Sequence, residues 1–232
     1  MANPAVLKKT LAAASANAIA LLQTPVSGTK LTLNGAAVVN GVAVLDTQRR
    51  ILLSFGNEAA QRTLAIAGFT DTGLPVSETL IVPAGAGAGT VASVYDYKQL
   101  ISAFPAGGGW SANVTLGTNT IGSTPWWLPN YWLPVPGIAA DIEFVTGGGG
   151  AVTASIEYTD DTLLLPMNIY GGQPATAPPP IVNGWPGLTA VNNNAYSVVD
   201  RQAAGVRLTV TGTGAQVQSN LRQSISVTGP SY

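Results

Sequence analysis

Carboxylates are the first side chains to consider for chemistry, because the sequence contains no histidine and no cysteine. These absences remove the usual general base, the imidazole metal ligand and every thiolate mechanism. Glu143 and Glu157 lie on the polar sides of two predicted strands and could be cross-strand neighbours. Glycosidases use two carboxylates about 5–10 Å apart, one with a raised pKa. Strand alternation instead predicts that both are solvated or paired with Arg207, so we predict that the protein is not an enzyme.

Other patterns that could bind a ligand are weaker. Asp160-Asp161 could contribute to a calcium site, since hard cations prefer carboxylate oxygens, but a turn after a strand is the favoured interpretation. The glycines at 85–89 and 107–109 lack the preceding strand and the helix with Lys-Ser/Thr that a phosphate loop needs. The largest basic clusters are the pairs Lys8-Lys9 and Arg49-Arg50, too few to hold a nucleic-acid backbone. We therefore predict no cofactor, no metal and no nucleic-acid partner.

The scarcity of charge points to assembly. Only 9% of the residues are charged, against about 25% in typical globular domains, and the net charge is −1. The core of a protein interface is depleted in charge, so this composition favours permanent contact with neighbouring subunits. The alternative is a secreted β protein with a neutral polar coat. For the group formed by Asp46, Arg49, Arg50 and Glu58, structural ion pairs are the default interpretation and a docking patch is the alternative.

The first 25 residues predict an N-terminal helical arm. Asn3 can cap a helix and Pro4 suits its first position, while apolar residues recur at helical spacing. Leu7 and Leu11 belong to that apolar stripe, and we expect them to contact a neighbouring subunit. No apolar run reaches the length needed to cross a bilayer, so no membrane partner is expected.

After Pro25 the apolar pattern changes to a period of two, with turn residues every eight to twelve positions. The pattern predicts an all-β fold with two sandwich-like or jelly-roll-like β units, at 26–122 and 137–232. Asn40-Gly41 between two valine-rich runs predicts a tight hairpin, because both turn residues must adopt positive φ. Asp96–Ser102 is predicted to form one short helical turn.

Residues 123–136 predict an aromatic linker, since four prolines exclude regular structure. Its tryptophans could fill a core between the units, anchor a neighbouring subunit, or stack on a carbohydrate such as a host glycan. We expect Trp126 to be buried within its own subunit. The remaining aromatic residues predicted at an interface are Trp127, Tyr131, Trp132 and Trp185.

The middle of the chain also resembles a widespread family of uncharacterised bacteriophage structural proteins encoded among head and tail genes. The likeness is carried by two main stretches, Leu45-Asp46-Thr47-Gln48-Arg49-Arg50 and Gly117-Thr118-Asn119-Thr120-Ile121-Gly122-Ser123-Thr124-Pro125-Trp126. Weaker similarity lies at Gly205–Thr211. The extension at 127–132 and the Pro-rich segment before Trp185 depart from the family pattern.

The resemblance implies a virion component without known catalysis. Combined with the low charge, it predicts a capsid decoration or cement protein that contacts the major capsid protein or other virion proteins and forms a homo-oligomer. A tail or neck component, such as an adaptor, nozzle or fibre base, is the first alternative. A host-glycan-binding module that uses exposed tryptophans is the second.

Overall fold

The computed structural model describes residues 5–106, 108–129, 136–146, 152–160, 182–200 and 203–225. This part of the chain is all-β and contains no helix. Its strands are β1 Ala5–Thr10, β2 Ser15–Gln23, β3 Val38–Val39, β4 Val42–Phe55, β5 Arg62–Phe69, β6 Pro75–Val82, β7 Gly89–Ala106, β8 Val114–Ser123, β9 Pro136–Thr146, β10 Thr153–Thr159, β11 Asn183–Gly184, β12 Ala195–Asp200, β13 Gly205–Thr211 and β14 Gln216–Ile225.

The described residues fall into two compact units. The first comprises residues 12–106 and 108–122. Its strands run in the order β8, β4, β7, β5, β6, with β2 paired to β8 and β3 paired to β4. The predicted hairpin is confirmed: Asn40 and Gly41 have φ of 52° and 78°, and they join Val39 to its partner Val42. Apolar residues from these strands form one core, including Ile19, Ile51, Leu53, Leu64, Ile66, Leu100 and Leu116.

A bulge bends β7 opposite the middle of β4. Arg50 pairs with Asp96 and Leu52 with Ala92, so Ile51 alone faces three residues of β7. The Ser93 hydroxyl replaces the missing backbone acceptor, taking the Ile51 N–H at 2.8 Å and donating to the carbonyl of Tyr95 at 2.7 Å. Such a bulge lets a long strand turn while its backbone groups remain satisfied.

The second unit contains the described residues before Ala12 and after Gly122. It has a sheet in the order β1, β14, β9, β12, and the strands β11, β10 and β13 pair side by side in that order. Both groups of strands contribute to a single core, which includes Leu11, Ile138, Ile142, Ile156, Trp185, Leu188, Val206, Leu208, Val217 and Leu221. Strand alternation places these residues on the inner faces.

The predicted helical arm is not supported by the structure. β1 pairs with β14, with Leu7 opposite Ser219, and β2 pairs with β8. Helix propensity is a weak preference that strand pairing and burial override, and β2 buries Ile19 and Ala20 completely. The helical turn predicted at Asp96–Ser102 is also wrong, because these residues lie within β7.

Candidate functional site

The two candidate catalytic carboxylates do not share a site. Glu143 is exposed on β9 and accepts a hydrogen bond from Gln218 on β14. Glu157 lies on β10 and accepts from Nε of Arg207 on β13 at 2.8 Å. The pairing of Glu157 with Arg207 confirms the expectation from strand alternation. Because the two glutamates belong to different sets of paired strands, and because each carboxylate has its own side-chain partner, the geometry resembles surface pairing rather than an acid–base pair.

Arg207 also holds the start of the aromatic segment. Its guanidinium carbon lies 4.6 Å from the ring centroid of Trp126, a cation–π distance. Trp127 exchanges two backbone hydrogen bonds with Val206, at 2.7 and 2.9 Å, and the N–H of Thr124 donates to the carbonyl of Leu208. Residues 124–127 are therefore fixed along β13 by backbone bonds, and the two tryptophans are half-buried.

The other residues predicted at an interface have diverse positions. Trp185 is fully buried and meets Tyr158 edge-on, with ring centroids 6.0 Å apart. Leu11 is 3% exposed in the same core, so neither of these side chains is available to a neighbour. Leu11 directly follows β1 and Trp185 directly follows β11. The backbone pairing of these strands fixes both residues so that their apolar side chains point inward. Tyr131 and Trp132 lie outside the described residues, and for Leu7 only the strand position is described.

Glu58 is a buried carboxylate with a structural set of partners. Its oxygens accept from the backbone N–H groups of Ser111 and Ala112, from the Ser111 hydroxyl and, at 3.2 Å, from Nε of Arg62. Burial alone would raise the pKa of Glu58, but these hydrogen bonds outweigh burial and hold the pKa below its ordinary value. The carboxylate thus ties the loop at 108–112 to the start of β5.

A second ion pair joins the buried Arg49 to the more exposed Asp46. The Arg49 side chain is 1% exposed and donates to Asp46 at 2.7 Å, to the carbonyl of Ala12 at 2.6 Å and to the carbonyl of Asn119 at 3.1 Å. Asp46 in turn accepts the N–H of Ala12 at 2.8 Å. The ion pair therefore binds both the N–H and the carbonyl of Ala12, which supports the structural interpretation of this ion-pair group.

Glu78 points inward from β6 to the bulge of β7. It accepts the N–H groups of Val94 at 2.8 Å and Tyr95 at 3.3 Å. Burial raises the pKa of Glu78, although these hydrogen bonds and the nearby Arg50 favour its charged form. A raised carboxylate pKa can mark a catalytic acid. Here both oxygens are occupied by the backbone of the bulge, so the side chain serves to fix that bulge.

The most unusual surface in the first unit is the outer side of β5, β6 and β7. Residues directly opposite one another in antiparallel strands share a face, and the register defines four rows across these strands. Each strand contributes four residues, none of which is buried and none of which is ionisable. They are Thr63, Ala65, Ala67 and Phe69 of β5, Pro75, Ser77, Thr79 and Ile81 of β6, and Gln99, Ser102, Phe104 and Ala106 of β7.

This surface, the uncharged face, continues onto the β3–β4 hairpin. Gln99 pairs with Val44 of β4, and strand alternation puts Val42 and its partner Val39 on the same side. Val39 is 62% exposed and Val44 is 42% exposed. Three strands of about eight residues cover roughly 400 Å², from a rise of about 3.4 Å and a strand spacing of about 4.8 Å.

The second unit provides a contrast. Tyr196 and Val198 of β12 are exposed, at 68% and 52%, and they lie opposite Asp141 and Ala139 of β9. The same face carries Glu143 and Arg222, so it has the charges expected of a solvated sheet. The sequence predicted a low charge overall, but it did not show that uncharged residues lie together on one face of the first unit. The available signal was the outward positions of β5 and β6, which carry Thr, Ala, Ser and Ile.

Within the described ranges, no group of three or more acidic residues is arranged to hold a metal ion. No helix long and apolar enough to cross a bilayer occurs among the described residues. Comparisons with protein-family models, with curated proteins and with solved structures find no match to this chain.

Proposed function

We propose that this chain is a bacteriophage virion structural protein, a decoration or cement protein that binds the exterior of the capsid. The observation that carries the proposal is the uncharged face. Exposed sheet faces that remain in water normally carry charged side chains, which also prevent unwanted association. A face without any charge over three strands suits burial against another protein.

Binding through this face would stabilise the capsid by adding buried contact area and would involve no chemical reaction. Phe104 and Ile81 are its largest exposed apolar side chains at 38% and 51%, and they would anchor the contact. Burying such a side chain from full exposure contributes about 1.5–3 kcal/mol, so completing the burial of these partly covered side chains contributes about 1 kcal/mol each. A single contact of roughly 400 Å² per partner is smaller than a standard stable interface of about 800 Å² per partner. The contact is therefore suited to an assembly in which many copies bind together.

Two further observations support a structural role over a chemical one. The buried Glu58 and Arg49 and the half-buried Glu78 each bind backbone atoms, which makes these charged groups part of the framework. The resemblance of the Leu45–Arg50 and Gly117–Trp126 stretches to phage structural proteins gives the particle context. We interpret each unit as sandwich-like or jelly-roll-like, the architecture common in capsid proteins, and the partners as the major capsid protein and further copies of this chain.

The experiment that tests the proposal is the copy number per particle, measured by quantitative mass spectrometry of purified virions. The proposal predicts a copy number that scales with the number of capsid subunits, and loss of the protein from tails separated from heads. A small copy number matching a tail or neck ring, with the protein retained on isolated tails, would contradict it. Absence from the particle would reject a virion role altogether.

A further inference from the structure

The chain contains three Asn-Gly pairs. In only one of them do the asparagine side chain and the glycine nitrogen have the space to react with each other. In an Asn-Gly pair the glycine nitrogen can attack the asparagine side-chain carbonyl, because no Cβ hinders the approach. The pairs are Asn34-Gly35, Asn40-Gly41 and Asn183-Gly184. Their environments differ strongly, so the structure predicts different reactivity at each.

Asn40-Gly41 sits at the tip of the β3–β4 hairpin with both residues exposed. Among the described residues, neither the Asn40 side chain nor the Gly41 amide has a hydrogen-bond partner. A Cβ built on Gly41 would meet nothing within 4 Å, so there is room for a ring at this position. Strand β3 is only two residues long, and such a short pairing opens locally at little cost.

Asn34-Gly35 is held in place. The side-chain oxygen Oδ1 of Asn34 accepts a hydrogen bond from the N–H of Leu21 at 2.9 Å. The Gly35 nitrogen donates to the carbonyl of Ile19 at 3.0 Å. A Cβ on Gly35 would lie 2.3 Å from the backbone of Ala18, which leaves no space for a ring. Both reacting groups are therefore engaged and confined.

Asn183-Gly184 is confined in a different way. Both residues are paired with β10, Asn183 opposite Tyr158 and Gly184 opposite Glu157. A Cβ on Gly184 would lie 2.7 Å from the hydroxyl of Thr189. Ring closure at this pair would break the strand pairing and displace that side chain.

We propose that Asn40 is a site of spontaneous deamidation, through a succinimide formed with Gly41. A bond forms between the Gly41 nitrogen and Cγ of Asn40, the bond from Cγ to the side-chain amide nitrogen breaks, and that amide leaves as ammonia with the proton lost from the Gly41 nitrogen. Water then opens the ring at either carbonyl. Opening at the side-chain carbonyl gives aspartate, and opening at the backbone carbonyl gives isoaspartate, in which the main chain runs through Cγ.

The product changes the hairpin in two ways. Each product carries a new negative charge between Val39 and Val42, at the end of the uncharged face. Isoaspartate also lengthens the main chain by one carbon in a two-residue turn, which disrupts the register between Val39 and Val42. The modification thus adds charge and local disorder to a previously neutral tip.

The test is to incubate the folded chain at mildly alkaline pH and to follow deamidation by peptide mapping with mass spectrometry. Cleavage after Lys30 and Arg49 gives a peptide that contains both Asn34 and Asn40, so fragmentation must assign the modified residue. Isoaspartate is confirmed independently with an isoaspartate-specific methyltransferase. A second digest covers Asn183, and the same incubation in denaturant supplies the unfolded reference.

We expect Asn40 to react in the folded chain at a rate close to that in denaturant, while Asn34 and Asn183 react only after unfolding. The variant Asn40→Gln should abolish the folded-state product. Equal folded-state rates at all three pairs, or an intact Asn40 in the folded chain, would overturn the proposal. Neither result depends on whether the protein binds a capsid, so this test is independent of the proposed function.

Discussion

Phe104 lies directly opposite Ala65 across β7 and β5, and both side chains are exposed. One position away on β5, Leu64 is fully buried. The sheet therefore has an inner face that stabilises the unit and an outer face that contributes little to its stability, although the outer face also carries apolar residues. Residues on the inner face therefore stabilise the fold, whereas residues on the outer face are available to bind a partner.

The first prediction follows from that division. Leu64→Ala should lower the free energy of unfolding by about 2–5 kcal/mol, as expected for truncation of a buried leucine. Phe104→Ala should lower it by only about 1 kcal/mol, because the residue is 38% exposed and lies outside the apolar core. Chemical denaturation of the two variants measures the difference. Equal losses would show that the outer face is part of the core.

A second prediction concerns acid. The pKa of folded Glu58 is lowered, so its carboxylate stabilises the fold above the ordinary pKa near 4.5, and this contribution is lost as the pH falls through the folded value. Glu58→Gln should cost about 3 kcal/mol at neutral pH, because it removes the negative charge beside the mostly buried Arg62. The difference from the wild type should shrink in acid. The matched control is Glu143→Gln on the exposed face of β9, which should cost much less at neutral pH; an equal loss of stability there would contradict the assignment.

Glu78 should show the opposite dependence on pH. Its pKa is raised in the folded chain, so the unfolded chain releases its proton first and stability falls as the pH rises from about 4.5 to the folded value. Glu78→Gln cannot ionise and escapes this loss. Its stability relative to the wild type should therefore increase with pH across that window, as measured by urea denaturation at several pH values. A constant difference between the two proteins would refute the raised pKa.

The N-terminal strand gives a fourth prediction. β1 covers one edge of β14 over six paired residues. Deleting residues 1–10 exposes that edge, and open sheet edges promote association. Light scattering after size exclusion should show larger species for the truncated chain than for the full chain. If the truncated chain remains monomeric at the same concentration, the edge is not exposed by the deletion.

Several features of the fold could be predicted from sequence because their signals are local. The Asn40-Gly41 hairpin follows from turn chemistry, and the inward Val206, Leu208 and Val210 follow from alternation. The N-terminal segment was predicted as helix because Asn3 can cap it, Pro4 suits its first position and its apolar residues recur at helical spacing. Its strand conformation depends on partners far along the chain, which put Ile19 in a core formed with β8 and other strands.

The candidate surface required the register as well as the pattern. Alternation within β5 places Ala65 on an outer side, but only the pairing with Thr79 and Phe104 shows that the uncharged sides of three strands are adjacent. A second bulge in β7, at Ile101 opposite the step from Ala67 to Gly68, shifts that register, and no local sequence signal predicts it. The contact between Arg207 and Trp126 joins residues distant in sequence and was missed for the same reason.

The most direct test of the assembly role is a single charge on the uncharged face. Ala65→Glu places a carboxylate at its centre, and Ala84→Glu places the same residue in an exposed turn of the same unit as a matched control. Both variants should keep the wild-type melting temperature, since exposed substitutions typically change stability by less than about 0.5 kcal/mol. The measurement is the amount of each variant bound to particles that lack the protein. The account predicts that Ala65→Glu fails to bind while Ala84→Glu binds like the wild type. Normal binding of a folded Ala65→Glu variant would contradict it.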